Sequence, residues 1–164
     1  MAVKTSVIGF PRIGKNRELK FASEKYFKGE LSVSELEKTA AELRAYGWKK
    51  QKDAGITFIP SNDFSFYDNM LDTSFLLGAV PERYAALNLS TLEKYFAAAH
   101  GYQGKAGDVK ALPMKKWFNT NYHYIVPEIS DDTIITVQKD NKVLSEYNEA
   151  KALGIKMGDP LFKI

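Results

Sequence analysis

The chain has 164 residues, 45% of them hydrophobic, no cysteine, and a formal net charge of +3. That length and apolar content suffice for one globular domain with its own core. The charge is too small for a protein that grips a nucleic-acid backbone, and without cysteine there is no disulfide. No apolar run reaches the ~18–20 residues of a membrane-spanning helix. The N-terminus has one lysine and then a strand-like run, without a signal-peptide pattern, so a cytoplasmic protein is expected. The charge is uneven: residues 1–28 hold seven basic and two acidic side chains, +5, which leaves −2 for the rest. A local basic end suits a small anion better than a polymer.

In chain order, Val3 to Ile8 reads as a short strand. A turn punctuated by Gly9 and Gly14 follows, and then a helix from Arg17 to Lys28. In that helix Leu19, Ala22 and Tyr26 share one face and Arg17, Lys20 and Glu24 another, and Gly29 stops it. Ser32-Val33-Ser34-Glu35 is a capping box for a second, long helix. Its apolar stripe is Leu36, Ala40, Leu43 and Gly47, and Gly55 closes it. Ile56 to Ile59 is a second strand, ended by Pro60 and a polar Ser61-Asn62-Asp63 turn.

Helical stretches are expected over about Tyr67 to Leu77 and Ser90 to Ala99. Gly101 to Gly107 reads as a flexible loop. Lys115 to Tyr124 is dense in aromatics and has no clear period. Thr133 to Val137 reads as a third strand, Lys142 to Leu153 as a helix with Val143, Tyr147 and Ala150 inward, and Pro160 to Ile164 as the start of a fourth strand. Strands alternating with helices predict an α/β fold with a parallel sheet of βα units.

The segment Gly9-Phe10-Pro11-Arg12-Ile13-Gly14-Lys15-Asn16-Arg17-Glu18-Leu19-Lys20 carries the strongest functional signal. A helix start exposes free N–H groups and the positive end of the dipole, and this one is loaded with Arg12, Lys15, Arg17 and Lys20. The spacing Gly9-x-x-x-x-Gly14-Lys15 is one residue short of a phosphate-binding loop. Asn16 lacks the hydroxyl that would ligate Mg²⁺, and Pro11 removes a backbone donor, so a nucleotide is disfavoured.

The same string, GFPRIGKNRELK, closely resembles the start of the cobalamin-independent methionine synthase family. AGITFIPSNDFSFYD (from Ala54) and KKWFNTNYHYIVPE (Lys115 to Glu128) resemble later blocks of that family, in the same order. The resemblance covers about Thr5 to Gly154. It implies an incomplete (β/α)₈ TIM-type barrel of three to four βα units over residues 1–154, with residues 155–164 as a divergent tail. A full barrel takes ~250 residues. The chain is therefore expected to be a fragment, or to self-associate over its uncovered strand edges.

The resemblance further implies a methyltransferase that moves a methyl group from 5-methyltetrahydropteroyl-polyglutamate to homocysteine, giving methionine. Arg17, Glu18, Leu19, Lys20 and Lys116 match the family's residues for the polyglutamate tail. A cationic helix start and a further lysine suit a chain of carboxylates. The family's zinc has His, Cys and Glu ligands in a second barrel. None of that site is expected here, since there is no Cys and His100 and His123 lack metal-ligand spacing. The segment alone is thus expected to be catalytically inactive. A non-catalytic interaction or oligomerisation remnant is the alternative.

Asp63 and Asp68 make an unconvincing acid/base pair, and Asp63 suits a loop brace better. His123 reads as a hydrogen-bonded structural histidine, or else a residue near the folate. Trp117, Phe118, Tyr122 and Tyr124 read as packing aromatics rather than a pterin stack.

Overall fold

The computed structural model describes residues 3–156. The described residues form two compact units, one of residues 3–64 and 140–156 and one of residues 65–139.

In the first unit, α1 (Glu18–Phe27) and α2 (Val33–Asp53) follow the basic turn, and α6 (Lys142–Ala152) returns near the end. The capping box at Ser32 is complete: the Ser32 Oγ accepts the Glu35 N–H at 3.3 Å and the Glu35 carboxylate accepts the Ser32 N–H at 2.8 Å. Reciprocal capping satisfies two donors that would otherwise be orphaned. The expected stripe of α2 faces inward, with Leu36, Ala40 and Gly47 buried and Leu43 half-buried. Trp48, Ile59, Ala150 and Ile155 form one core cluster, with Ile56 packed against them, and the Trp48 indole N–H donates to the Pro60 carbonyl at 3.0 Å.

The two N-terminal strand-like runs meet in parallel. Ser6 bridges Phe58, and the Phe58 N–H donates to the Thr5 carbonyl at 2.9 Å. The Thr5 and Thr57 hydroxyls reinforce this pairing by accepting each other's backbone N–H, each at 3.1 Å. Two helices separate the paired runs, as a crossover connection requires.

Only Ala150 of the three apolar residues expected inward on α6 is fully buried; Val143 and Tyr147 are half-buried. Glu146 shares the inner face at 3% exposure. A buried carboxylate needs compensating charge. Arg44 of α2 lies 3.8 Å and Lys142 3.5 Å from it, while Arg44 also binds Glu149 through two N–H groups at 2.8 and 3.0 Å.

The second unit contains α3 (Asn69–Leu76), α4 (Glu82–Ala85), α5 (Thr91–His100) and two antiparallel hairpins, β1–β2 (Tyr102–Gly104, Gly107–Val109) and β3–β4 (Met114–Lys116, His123–Ile125). α3 begins two residues later than Tyr67 because Asp68 caps it. One Asp68 oxygen accepts the Met70 and Leu71 N–H groups at 2.8 and 3.0 Å, and the other takes the Ile125 N–H at 3.0 Å. Leu71, Tyr84, Phe96, Ala98, Leu112 and Ile125 lie in its interior.

Three sequence expectations change here. Gly101 to Gly107 is not a flexible loop: Gly104 pairs with Gly107 across the two-residue Lys105-Ala106 link, closing a hairpin. The untyped Lys115 to Tyr124 stretch is largely the second hairpin, with Lys115 opposite Tyr124. Thr133 to Val137 belongs to no strand. The Thr136 and Gln138 N–H groups instead donate to the Leu77 and Leu76 carbonyls at 2.9 Å each, meeting acceptors that the end of α3 leaves open. Ile134, Ile135 and Val137 are left 81%, 51% and 60% exposed. The fold is thus mixed helix and small sheet. The strand expected from Pro160 lies outside the described residues, as does the tail 155–164 apart from Ile155 and Lys156.

Candidate functional site

The basic turn is built around its glycines. Gly9 presses on Asp63, where an added Cβ would meet Asp63 Cβ and Oδ2 at 3.1 Å each. The Asp63 Oδ2 accepts the Phe10 N–H at 2.7 Å. The Phe10 ring lies against Gly47 of α2, where an added Cβ would come within 3.0 Å, and meets Tyr46 edge-on at 6.2 Å. Gly14 has φ +85°, a left-handed conformation that glycine takes without strain, and an added Cβ there would run into the Glu18 carboxylate.

Arg17 enters α1 with φ 63° and ψ 34°. This left-handed conformation is uncommon for a residue with a Cβ and is held by surrounding structure. Its N–H donates to the Gly14 carbonyl at 3.3 Å, and the Leu19 N–H donates to the Ile13 carbonyl at 3.2 Å. Its side chain is exposed and, like that of Lys15, makes no ion pair with the described residues. Lys20 is exposed beside Glu24, at 3.6 Å. Leu19 is core, 3% exposed. Glu18 turns back from the helix surface, its Oε2 accepting the Asn16 N–H at 2.9 Å. Cations thus face outward from the turn, while the Glu18 carboxylate closes it from behind.

A cavity of about 10 Å³ lies behind the turn, among Phe10, Arg12, Trp48, Gln51, Asp63 and Phe64. It has room for about one water, not for a metabolite. Gln51 Oε1, buried and lacking a protein hydrogen-bond partner, suits such a water.

Lys116 belongs to the second unit, on β3 opposite His123 of β4. The Lys116 and His123 side chains are exposed. The packing reading of the nearby aromatics holds for Trp117 and Tyr124, whose rings lie 4.6 Å apart. It fails for Phe118 and Tyr122, which are 93% and 79% exposed. Phe118 sits at φ 49° in the hairpin end, where the Trp117 N–H donates to the Tyr122 carbonyl at 2.8 Å.

Burial shifts several titratable groups in this unit: it raises Tyr67 and Tyr95 and also shifts the two that follow. Desolvation raises the Asp68 carboxyl above the ordinary carboxylate range, against the three backbone N–H groups that favour its charge. Partial burial lowers His100, whose ring lies 5.0 Å from Tyr67 and 6.3 Å from Phe96. Asp63 and Asp68 have separate structural duties, a loop brace and a helix cap, and do not form an acid/base pair.

Residues 4–161 match the family described as cobalamin-independent synthase, N-terminal domain. The chain belongs to the cobalamin-independent methionine synthase family. It is 60% identical over 154 residues to the 5-methyltetrahydropteroyltriglutamate–homocysteine methyltransferase of Campylobacter jejuni subsp. doylei, covering 94% of this chain and 20% of the relative. The enzyme of the same name from Lactococcus lactis subsp. cremoris is 59% identical over 154 residues, with the same two shares. That of Streptococcus thermophilus is 56% identical over 153 residues, 93% of this chain and 20% of the relative. The chain spans about a fifth of the length of these curated methionine synthases.

Among the described residues no three His, Cys, Asp or Glu side chains converge on a metal position, and the sequence has no cysteine. These residues do not fit the zinc that the family implies. No helix among them is long and apolar enough to cross a membrane.

The loop-brace reading of Asp63 holds, whereas the Glu18 contact with Asn16 has no local signal in the sequence. The close seat of Phe10 on α2 was missed, although Gly47 in the apolar stripe of a long helix is a signal for close approach.

Proposed function

We propose that the chain is the opening part of a cytoplasmic methyltransferase that moves a methyl group from 5-methyltetrahydropteroyl-polyglutamate to homocysteine, and that its share of the work is to bind the polyglutamate tail through the segment Arg17 to Lys20 and through Lys116. The parallel Ser6–Phe58 pairing across two helices supports the further reading that residues 1–154 begin a (β/α)₈ barrel. The observation that carries the binding proposal is the outward cationic face of the turn, where Lys15 and Arg17 stand exposed without partners among the described residues. Successive carboxylates of a tail can each take an exposed cation, and such pairs are individually weak. Affinity should therefore grow with the number of glutamates. Thiol activation requires a metal site that the described residues do not form, so the chain alone is expected to bind without turning over.

The test is calorimetric titration with the mono- and triglutamate forms of methyltetrahydrofolate. The triglutamate should bind tighter. Lys20→Ala and Lys116→Ala should each weaken it about 3–10-fold and leave the monoglutamate nearly unchanged. Equal affinity for both forms, or no effect of Lys116→Ala, would sink the proposal.

A further inference from the structure

We propose that Asp68 is a positioning residue for the polyglutamate tail: its carboxylate fixes the β3–β4 hairpin to the start of α3 and so sets where Lys116 stands. The inference rests on the tail-binding reading above and concerns the second unit alone.

A two-stranded hairpin with three residues in each strand is marginal by itself and needs packing or an anchor. The hydrogen bonds show where this one is anchored. Along β4, alternate N–H groups face opposite sides. The Val126 N–H, just past the strand, donates to the Pro113 carbonyl at 2.8 Å, so its side faces β3. The Ile125 N–H therefore points out of the ladder. Ile125 is 1% exposed, so this N–H needs a protein partner. Asp68 supplies it at 3.0 Å.

The other Asp68 oxygen caps α3 by taking the Met70 and Leu71 N–H groups. One carboxylate, on a residue 8% exposed, thus joins the helix start to the root of the hairpin. The approach to β3 is held separately, by the Leu112 N–H donating to the Ala98 carbonyl of α5 at 2.8 Å. Lys116 lies two residues beyond Met114, the ladder partner of Ile125, and its side chain is exposed. At ~3.3 Å per residue this sets it about 7 Å outward from the root. A hairpin loosened at the root lets Lys116 wander, and a wandering cation pairs weakly.

Charge does not explain a carboxylate in this role. A negative group disfavours a polyanionic ligand, so by charge alone the loss of Asp68 would tighten binding. A weakening must come through position.

Serine and asparagine are both good helix caps. In Asp68→Ser the single side-chain oxygen is used by the cap. In Asp68→Asn the carbonyl oxygen caps the helix and the N–H₂ group faces the Ile125 N–H, donor against donor. Both variants keep the cap and lose the tether. In calorimetry with the full chain, each should weaken methyltetrahydrofolate triglutamate about threefold and leave the monoglutamate nearly unchanged. Asp68→Ser combined with Lys116→Ala should bind no more weakly than Lys116→Ala alone, since the two act through one contact. Unchanged triglutamate affinity in both single variants, equal weakening of both ligand forms, or additive losses in the double variant would each overturn the inference.

Amide hydrogen exchange is the second measurement. In both single variants exchange should quicken at Ile125 and also at Val126 and Trp117, whose N–H groups bond within the hairpin, while Leu77 at the end of α3 keeps its protection. If the unaltered chain binds mono- and triglutamate equally, the tail-binding reading has failed. Asp68 is then judged as the anchor of the hairpin on exchange alone: joint opening of Ile125, Val126 and Trp117 supports it, and opening confined to Ile125 overturns it.

Discussion

At the scale of single residues, one residue type serves different ends according to what surrounds it. Glu18 folds back onto Asn16, Glu146 is buried between Arg44 and Lys142, and Glu128 lies exposed with both oxygens on the Arg83 guanidinium at 2.6 Å, which lowers its pKa. His100 gives a pH test at this scale. Partial burial holds its folded-state pKa below the ordinary value of 6.5. The unfolded chain therefore takes up a proton near pH 6.5 that the folded chain refuses. Stability should be independent of this group above that pH and should fall as pH drops through it, until the lower folded pKa is reached. Urea unfolding from neutral pH to about pH 5 should show this slope, and His100→Gln should flatten it. Asp68 acts with the opposite sign, since its raised pKa lets the folded state bind the proton first as pH falls. A slope unchanged in His100→Gln would refute the assignment.

At the scale of elements, local signals were legible wherever a helix carries its own cap. Ser32 with Glu35 and Ser90 with Glu93 form complete capping boxes, and the helices they begin run where sequence reasoning puts them, to within a residue or two. Strands were harder to read. Thr133 to Val137 has the β-branched composition of a strand, yet a strand exists only with a partner ladder, and here the Thr133 N–H turns to the Ser130 carbonyl and the Thr136 N–H to the end of α3. The hairpins were hidden for the converse reason: glycine, lysine and exposed aromatics give little periodic signal, and cross-strand pairing does the work. The joint between α2 and α6 was invisible in the sequence, because Arg44 and Glu149 are far apart along the chain. Arg44 is 14% exposed at its side chain and serves two carboxylates, one of them buried. Its removal leaves Glu146 short of charge, so Arg44→Ala should destabilise the chain by about 3 kcal/mol in urea unfolding followed by tryptophan fluorescence. A loss under ~1 kcal/mol would reduce the cluster to a surface ion pair.

At the scale of the whole molecule, the chain corresponds to about a fifth of its curated relatives, and its apolar exposure bears on how it behaves alone. Ile129, Ile134, Ile135 and Val137 stand 62%, 81%, 51% and 60% exposed along one short stretch. A strand-prone segment with no partner ladder is a template for pairing with another copy. We expect association that rises with concentration in size-exclusion chromatography with light scattering, and Ile134→Lys should reduce it. A monomer at every concentration would remove self-association from the account and leave the tail-binding proposal untouched.

The sequence by itself determined the family, the capped helices and the basic turn, because these depend on residues close together in the chain or on long unbroken strings. Only the tertiary structure decided that Glu18 faces the loop and not outward, that Asp63 clamps Phe10, and that the β-branched stretch after Asp132 ends unpaired. The reason is common to all three. A hydrogen-bond acceptor or a ladder partner supplied from a distant part of the chain leaves no local periodicity, and it is chosen only when the elements pack.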